Sequence, residues 1–162
     1  MKQIMLNSIK KNKMLIIYID ADACPVKKEI IKVAARHHLQ VYIVSNSRLN
    51  IIVDSNVHKI QVSSDQDAAD NWIVEHITIN DIVITVDILL ADRCLKKGAR
   101  ALSPTGKVFT ENNIGTAKAT RELRTYLRET GIAPSYNATF SQQDRSRFLQ
   151  ALEMIIQSIK KK

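Results

Sequence analysis

The sequence predicts an α/β fold in which a mostly parallel central sheet of about five strands carries helices on both faces. Short, continuous apolar runs, such as residues 15–19 and 82–86, are typical of strands buried on both sides of a parallel sheet. Segments with helical spacing of apolar residues separate these runs. This alternation favours right-handed strand–helix–strand connections.

The first half of the chain contains three of the predicted strands. The first ends at Asp20, and helix 25–36 follows, with Pro25 at the first helical position, where its missing N–H costs nothing. Strands are predicted at 40–45 and 58–63. A further helix is expected to run from a cap at Ser64 or Asp65 to about Ile77.

The second half repeats the pattern. We predict a strand over 81–87, a helix over 88–97 and a short fifth strand over 100–103, followed by a turn that leads to 108–110. Helices are expected over 117–129 and 145–159. The chain therefore reads as one domain over 14–159, with a basic N-terminal extension at 1–13 and a basic tail at 160–162.

Charge is unevenly distributed along the chain. The net charge is +8, and the extension and the tail together contribute +7 of it. Residues 14–92 carry 6 basic and 11 acidic side chains, whereas residues 93–128 carry 9 basic and 2 acidic ones. An acidic half beside a basic stretch suits a cation site next to a phosphate-binding surface.

Targeting and cysteine signals favour a cytoplasmic protein. No apolar run approaches the roughly 18 residues that span a bilayer, so no membrane association is expected. The N-terminus lacks the apolar segment and cleavage site of a signal peptide. Cys24 and Cys94 are therefore expected to be reduced thiols, and their spacing does not fit a zinc site.

Aspartates cluster at positions that a parallel sheet brings together. Asp20 and Asp87 each end an apolar strand, and Asp67 and Asp70 occupy the start of a helix entered from the same edge. Carboxylates that converge repel one another unless cations lie between them, and oxygen ligands favour Mg²⁺ or Mn²⁺. Such a site suits phosphodiester hydrolysis. Alternatively, each aspartate simply caps its helix.

Two other enzyme classes start from the same stretch. Asp20-Ala-Asp22 resembles the motif of haloacid-dehalogenase-type phosphatases, but Ala23-Cys24 follows where that motif has Thr or Val, and no downstream lysine or paired-acid motif is evident. Cys24 lies near a helix start, but the sixth residue after it is Ile30 rather than the arginine of a cysteine phosphatase loop. Cys24 is therefore expected to be structural.

Two basic features complete the candidate site. Arg121, Arg124 and Arg128 lie at i, i+3 and i+7 of a predicted helix and form one basic face. Arg48 lies in a polar loop at the carboxyl end of the second strand. These four arginines are the candidate substrate-binding residues.

Four sequence blocks together resemble the YaiI/YqxD family (UPF0178, DUF188), over about residues 14–155. The blocks are Asp20-Ala-Asp-Ala-Cys-Pro-Val-Lys27, Asp67-Ala-Ala-Asp70-Asn-Trp-Ile73, Ile84-Thr-Val-Asp87-Ile-Leu-Leu-Ala91, and Asn113-Ile114 with Arg121. The family is similar to PIN/FLAP-type nucleases in fold and acidic-site layout. The resemblance implies a PIN-like domain, a phosphate contact at Arg121, and an acidic set formed by Asp20, Asp22, Asp67, Asp70 and Asp87.

We therefore expect a Mg²⁺- or Mn²⁺-dependent nuclease that acts on RNA or single-stranded nucleic acid. Asp20, Asp70 and Asp87 are the expected catalytic metal ligands, supported by Asp22 and Asp67. Two alternatives stay open: a non-catalytic module that binds nucleic acid or a protein, and a metal-dependent phosphatase of small molecules.

Overall fold

A six-stranded sheet with the order β3-β2-β1-β4-β5-β6 forms the centre of the protein, in a computed structural model that describes residues 14–132 and 139–161. The first five strands are parallel, and β6 is antiparallel to β5. The strands are β1 (Ile16–Asp20), β2 (Gln40–Ser45), β3 (Val57–Gln61), β4 (Ile82–Ile84), β5 (Arg100–Leu102) and β6 (Val108–Phe109).

Five helices cover the two faces of the sheet within the described residues. They are α1 (Lys27–Arg36), α2 (Ala68–His76), α3 (Ile88–Lys96), α4 (Glu111–Glu129) and α5 (Gln142–Lys160). Helices α1 and α5 pack on one face, where Ile30 and Phe148 are fully buried. Helices α2, α3 and α4 pack on the other, around Ile73 and Leu90. This architecture is the predicted α/β fold with helices on both faces, and it is consistent with a PIN-like fold.

The strand order places a topological switch point between β1 and β4. From β1 the chain adds strands outward to β3, then returns to the other side of β1 and continues through β4 to β6. In open α/β sheets, ligands bind in the crevice at the carboxyl ends of the strands where the order reverses. Ile19 pairs with Ile84, so Asp20 and Thr85 are the next residues at that edge.

The helix α1 and the helix α2 begin later than the sequence predicts. Helix α1 begins at Lys27, so the expected placement of Pro25 at the first helical position is wrong, and Pro25 lies in the preceding turn. Asp67, rather than Ser64 or Asp65, is the residue directly before helix α2. Polar first-turn residues and turn residues have similar composition, so a sequence pattern locates a helix better than its first residue.

The remaining differences concern short or weakly patterned elements. Strand β4 covers three residues rather than seven, and β6 adds a sixth strand of two residues, too short for any periodicity. Helix α4 begins six residues before the expected position. Its cap, Thr110, accepts a hydrogen bond from the Asn113 N–H, and the Asn113 side chain accepts one from the Thr110 N–H. This reciprocal capping box offsets the weak helix propensity of Asn and Gly in the first turns.

A polar network joins the end of α1 to α5. The Glu153 carboxylate lies 3.0 Å from His37 Nε2 and 2.9 Å from Arg36 Nη2, and Lys160 Nζ lies 2.9 Å from His37 Nδ1. These hydrogen bonds lower the pKa of Glu153 to about 2, with the largest effect from His37. Lys160, expected in the basic tail, is thus part of α5 and contacts the body of the domain. None of the helices in the described ranges has the length and hydropathy of a membrane span.

Candidate functional site

The five aspartates predicted to form the acidic set all line one pocket at the switch point. This pocket, here called the acidic pocket, has a volume of about 270 Å³. Its walls come from the ends of β1 and β2, the start of α2 and the loop after β4. They are formed by Asp20, Asp22, Ala23, Asn46, Asp67, Ala69, Asp70, Val86 and Asp87.

Asp20 is the most buried of the five aspartates. It is the last residue of β1, and only 8% of its surface is exposed. Thr85 Oγ1 donates a 2.8 Å hydrogen bond to Asp20 Oδ2 and accepts one of 2.9 Å from the Asp87 N–H. Thr85 therefore links the two strand-end aspartates. The sequence analysis missed it, although a hydroxyl residue two positions before a strand-end aspartate was a visible signal.

Asp87 both caps a helix and faces the acidic pocket. Its Oδ1 accepts hydrogen bonds from the N–H groups of Leu89 (2.9 Å) and Leu90 (3.2 Å) at the start of α3. The capping explanation raised for single aspartates is thus correct for Asp87. It does not compete with a role in the pocket, because Asp87 also lines the pocket and its charge raises the pKa of Asp70.

Asp67 and Asp70 reach the acidic pocket from the start of α2. Asp67 is the residue before the helix, but its side chain makes no capping hydrogen bond, so its carboxylate does not serve the helix. Its backbone is left-handed, with φ of 66°. Asp70 lies in the first turn and is partly buried. Asp67 therefore has a left-handed backbone at the helix start and a carboxylate that lines the pocket without capping the helix.

Asp22 and Ala23 form the opposite wall, in the turn after β1. The Ala21 N–H donates to the Val44 carbonyl at 3.0 Å, which extends the β1–β2 ladder into this turn. Asp22 is exposed. Ala23 has a φ of 53°, a left-handed conformation that costs a non-glycine residue roughly 1–2 kcal/mol. Two strained backbone positions, Ala23 and Asp67, thus flank one pocket, and such strain often marks functional sites.

Burial and the neighbouring carboxyl groups raise the pKa values of Asp70 and Asp20. Burial is the largest cause for Asp70, followed by the charges of Asp87 and Asp20, and together with the nearby Asp67 they raise its pKa to about 7. Burial also raises the pKa of Asp20, opposed by the hydrogen bond from Thr85 and reinforced by Asp22 and Asp87. The pocket therefore concentrates negative charge that a bound cation would balance.

The donor atoms of the acidic pocket fit a hard divalent cation. Carboxylates, with the Asn46 amide beside them, offer the oxygen ligands that Mg²⁺ and Mn²⁺ prefer. In the part of the chain that the structure describes, however, no three His, Cys, Asp or Glu side chains are positioned to hold one ion as they stand. A shared ion would require these carboxylates to turn toward it. Their assignment as metal ligands stays a prediction.

The cysteines do not contribute a nucleophile. Cys24 is buried beside the pocket, and burial raises the pKa of its thiol to about 11. Cys94 is one of the buried residues of α3, and burial raises the pKa of its thiol to about 12. Both therefore stay protonated at neutral pH, as expected for structural thiols.

The candidate arginines do not line the acidic pocket, but α4 carries three of them toward the same edge of the sheet. Because β6 is antiparallel and Phe109 pairs with Ala101, α4 starts near the amino end of β5. It then runs back over α3, with Ile114 and Ala117 buried and Lys118 Nζ 3.2 Å from Asp92 Oδ2. Helix α4 is thus antiparallel to α3 and points to the carboxyl edge.

The end of α4 extends beyond the start of α3. Eleven residues of α4 follow Lys118, a length of about 16 Å, whereas Asp92 lies only four residues, about 6 Å, from the start of α3. Arg121, Arg124 and Arg128 continue the helix face that Ile114 and Ala117 begin. All three are exposed and, within the described ranges, have no carboxylate within 4.0 Å.

Arg48 lies on the other side of the acidic pocket. It follows Asn46 by two residues and faces a separate small pocket beside β3. The structure therefore does not gather the four arginines into one patch. Arg48 lies on the β2–β3 side of the sheet, and the other three lie on α4, which packs on α3.

Comparisons with known proteins identify relatives across almost the whole chain. A family model described as "Uncharacterized BCR, YaiI/YqxD family" matches residues 18–158. A UPF0178 protein of Agrobacterium fabrum is 54% identical over 145 residues, which cover 90% of this chain and 95% of the relative. UPF0178 proteins of Rhizobium etli and Rhodospirillum rubrum are 51% and 52% identical, covering 89% and 90% of this chain and 93% and 97% of the relatives. No solved structure matches.

Proposed function

This chain belongs to the YaiI/YqxD family, and we propose that it is a Mg²⁺- or Mn²⁺-dependent nuclease that hydrolyses phosphodiester bonds of RNA or single-stranded nucleic acid. The observation that supports this proposal is the convergence of five carboxylates from separate chain segments in the acidic pocket. Helix capping accounts for only one of them, Asp87. The remaining charges are costly to bring together unless a cation uses them.

The proposed metal ligands are Asp20, Asp70 and Asp87, with Asp22 and Asp67 in support. When bound, the cation would lower the pKa of a water and balance charge on the attacking and leaving oxygens. Thr85 holds the Asp20 carboxylate through Oδ2, and the α3 backbone holds Asp87 through Oδ1. Asp70, whose pKa is about 7 without a metal, would bind the cation as a carboxylate, so we expect metal affinity to fall as the pH drops below about 7.

The substrate class follows from charge and pocket size. The three arginines of α4 offer cations without carboxylate partners at the carboxyl edge, which suits contacts to several phosphates of a polyanion. The pocket is at the small end of ligand-binding cavities, and Asp20 lies deep within it. A single strand can bend one phosphodiester into such a pocket more readily than a stiff duplex can.

The test is cleavage of labelled single-stranded RNA and DNA with Mn²⁺, with Mg²⁺ and with EDTA. We expect metal-dependent cleavage that the Asp20→Asn/Asp87→Asn variant loses. Asp54→Asn/Glu75→Gln is the matched control, because it removes two exposed carboxylates outside the acidic pocket. Equal activity of the wild type and the Asp20/Asp87 variant would refute the proposal.

A non-catalytic module that binds nucleic acid is the second candidate. It is favoured by the lack, among the described residues, of three ligands already positioned around one ion. RNA binding that persists in EDTA and in the Asp20→Asn/Asp87→Asn variant, without cleavage in any metal, would support it. A small-molecule phosphatase is distinguished in the same assay by comparing a phosphomonoester with a phosphodiester.

A further inference from the structure

We infer that a second pocket, beside β3, binds a backbone phosphate of the same nucleic acid strand whose scissile phosphate enters the acidic pocket. This inference rests on the proposed function for the identity of the ligand. The second pocket, here called the basic pocket, has a volume of about 140 Å³. It is lined by Ser47, Arg48, Leu49, Lys59, Ile60 and Gln61.

The basic pocket offers hydrogen-bond donors without a competing carboxylate. Arg48 and Lys59 are both exposed, and in the described part of the chain neither lies within 4.0 Å of an acidic side chain. The Ser47 hydroxyl and the Gln61 amide add neutral donors at the rim. A guanidinium, an ammonium and two neutral donors around a small cavity are the groups that recognise a phosphate.

The two cations differ in how they are held. Lys59 Nζ lies 3.3 Å from the Ile51 carbonyl and 3.5 Å from the Leu49 carbonyl, which places its charge over the loop that follows β2. The Arg48 guanidinium, by contrast, makes no hydrogen bond to any described residue. Lys59 therefore supplies a positioned charge, and Arg48 keeps its donors available for a ligand.

The loop that carries Arg48 is ordered by its own side chains. The Ser47 N–H donates to Ser45 Oγ at 3.1 Å, and the two hydroxyl groups lie 3.3 Å apart. Ser45 is buried at the end of β2. These hydrogen bonds hold the start of the loop, which lowers the entropy lost when a phosphate binds there.

The position of the basic pocket makes it part of one substrate path. Asn46 lines the acidic pocket, and Arg48, two residues later, lines the basic pocket, so the backbone distance between them is at most about 7 Å. The basic pocket lies on the β2–β3 side of β1, and α4 lies on the side of β4 to β6. A strand along the carboxyl edge would thus contact Arg48 and Lys59 on one side of the acidic pocket and the α4 arginines on the other.

The test measures binding in EDTA, where no cleavage occurs. Fluorescence anisotropy of a labelled 12-nucleotide single-stranded RNA compares the wild type with Arg48→Ala/Lys59→Ala across a range of salt concentrations. Lys32→Ala/Lys161→Ala is the matched control, because it removes two exposed positive charges on α1 and at the end of α5. We expect the Arg48/Lys59 variant to lose about tenfold or more in affinity, and its log–log salt slope to fall by about 1, the loss of one phosphate contact.

A length series adds a readout that general charge loss would not change. A dinucleotide holds one phosphodiester and cannot occupy both pockets, so its KM for cleavage should be the same in the wild type and the Arg48/Lys59 variant. The KM of the 12-nucleotide substrate should rise in the variant. Equal losses in the Arg48/Lys59 variant and the control, or equal losses for both substrate lengths, would overturn the inference.

The experiments distinguish a failure of the basic-pocket inference from a failure of the proposed nuclease function. If the Arg48/Lys59 variant binds RNA more weakly in EDTA but the wild type does not cleave RNA with any metal, the phosphate site in the basic pocket stands and the proposed nuclease activity is refuted. Metal-dependent cleavage with unchanged RNA affinity in the Arg48/Lys59 variant would refute the basic pocket alone. Inorganic phosphate serves as a competitor in the same binding assay. If phosphate displaces the labelled RNA at the same concentration as unlabelled RNA does, the basic pocket is a site for the free anion instead.

Discussion

Thr85 Oγ1 donates a 2.8 Å hydrogen bond to Asp20 Oδ2, although the two residues are 65 positions apart in the chain. The same hydroxyl accepts a hydrogen bond from the Asp87 N–H. One buried side chain therefore orients the most buried carboxylate of the acidic pocket and the backbone of a second acidic residue. Thr85 is a positioning residue for the proposed site.

Replacing Thr85 tests this link. Thr85→Val keeps the volume but leaves buried Asp20 Oδ2 without its donor, so we expect a loss of about 1–3 kcal/mol in the free energy of unfolding, measured by urea denaturation. The affinity for Mn²⁺, measured by calorimetry, should fall as well, because the pKa of Asp20 would rise further. Thr85→Ser retains the hydroxyl and should recover most of both losses. A Thr85→Val variant with wild-type Mn²⁺ affinity would contradict the positioning role.

Asp70 should make the stability of the metal-free protein depend on pH. Its pKa is raised from the ordinary 3.8 to about 7 in the folded state, so between these values the folded protein keeps a proton that the unfolded chain releases. Stability contributed by this group is therefore present at low pH and is lost as pH rises through about 7. We expect Asp70→Asn to melt about 2–4 °C above the wild type at pH 8 in EDTA.

The Asp70 difference should disappear below about pH 3, under the ordinary pKa of 3.8, where the wild-type carboxyl group is mostly protonated in both states. Added Mn²⁺ should raise the melting temperature of the wild type at pH 8 more than that of Asp70→Asn. Asp54→Asn, which changes an exposed carboxylate outside the pocket, is the control. If Asp70→Asn and Asp54→Asn showed the same pH profile, the electrostatic cost assigned to the acidic pocket would be wrong.

Glu153 should stabilise the contact between α1 and α5, with a pH dependence opposite to that of Asp70. Its pKa is lowered from 4.5 to about 2, chiefly by the hydrogen bond with His37. The stabilisation is complete above pH 4.5 and is lost as pH falls toward 2. We expect Glu153→Gln to lower the melting temperature at pH 6 and to show a weaker acid dependence between pH 4.5 and pH 2.5, measured by circular dichroism. Parallel acid profiles for the variant and the wild type would show that Glu153 is not the responsible group.

The arginines of α4 should contribute to RNA binding in proportion to their charge. We expect Arg121→Ala/Arg124→Ala/Arg128→Ala to weaken binding of any single-stranded sequence and to lower the log–log salt slope by about 2–3, because phosphate contacts carry no base specificity. The exposed positions predict an unchanged melting temperature. A salt slope equal to that of the wild type would remove α4 from the substrate path.

Local sequence patterns predicted much of the framework. Strand β2 occurs at the predicted residues 40–45, and β1 ends at Asp20 as expected, because an apolar run between polar residues reports burial directly. The patterns were less informative for β6 and for the starts of α1 and α2. A two-residue strand has no periodicity, and helix starts depend on capping geometry rather than on composition.

The sequence by itself determined which residue types reach the carboxyl edge of the sheet: aspartates directly after apolar strands and at a helix start, with basic residues farther along the chain. Only the tertiary structure decided how they meet. Register between β1 and β4 brings Thr85 to Asp20, antiparallel pairing of β6 with β5 sets where α4 begins, and pairing of β2 with β3 places Lys59 beside Arg48. Each of these relationships depends on strand pairing between distant segments, which local periodicity does not encode.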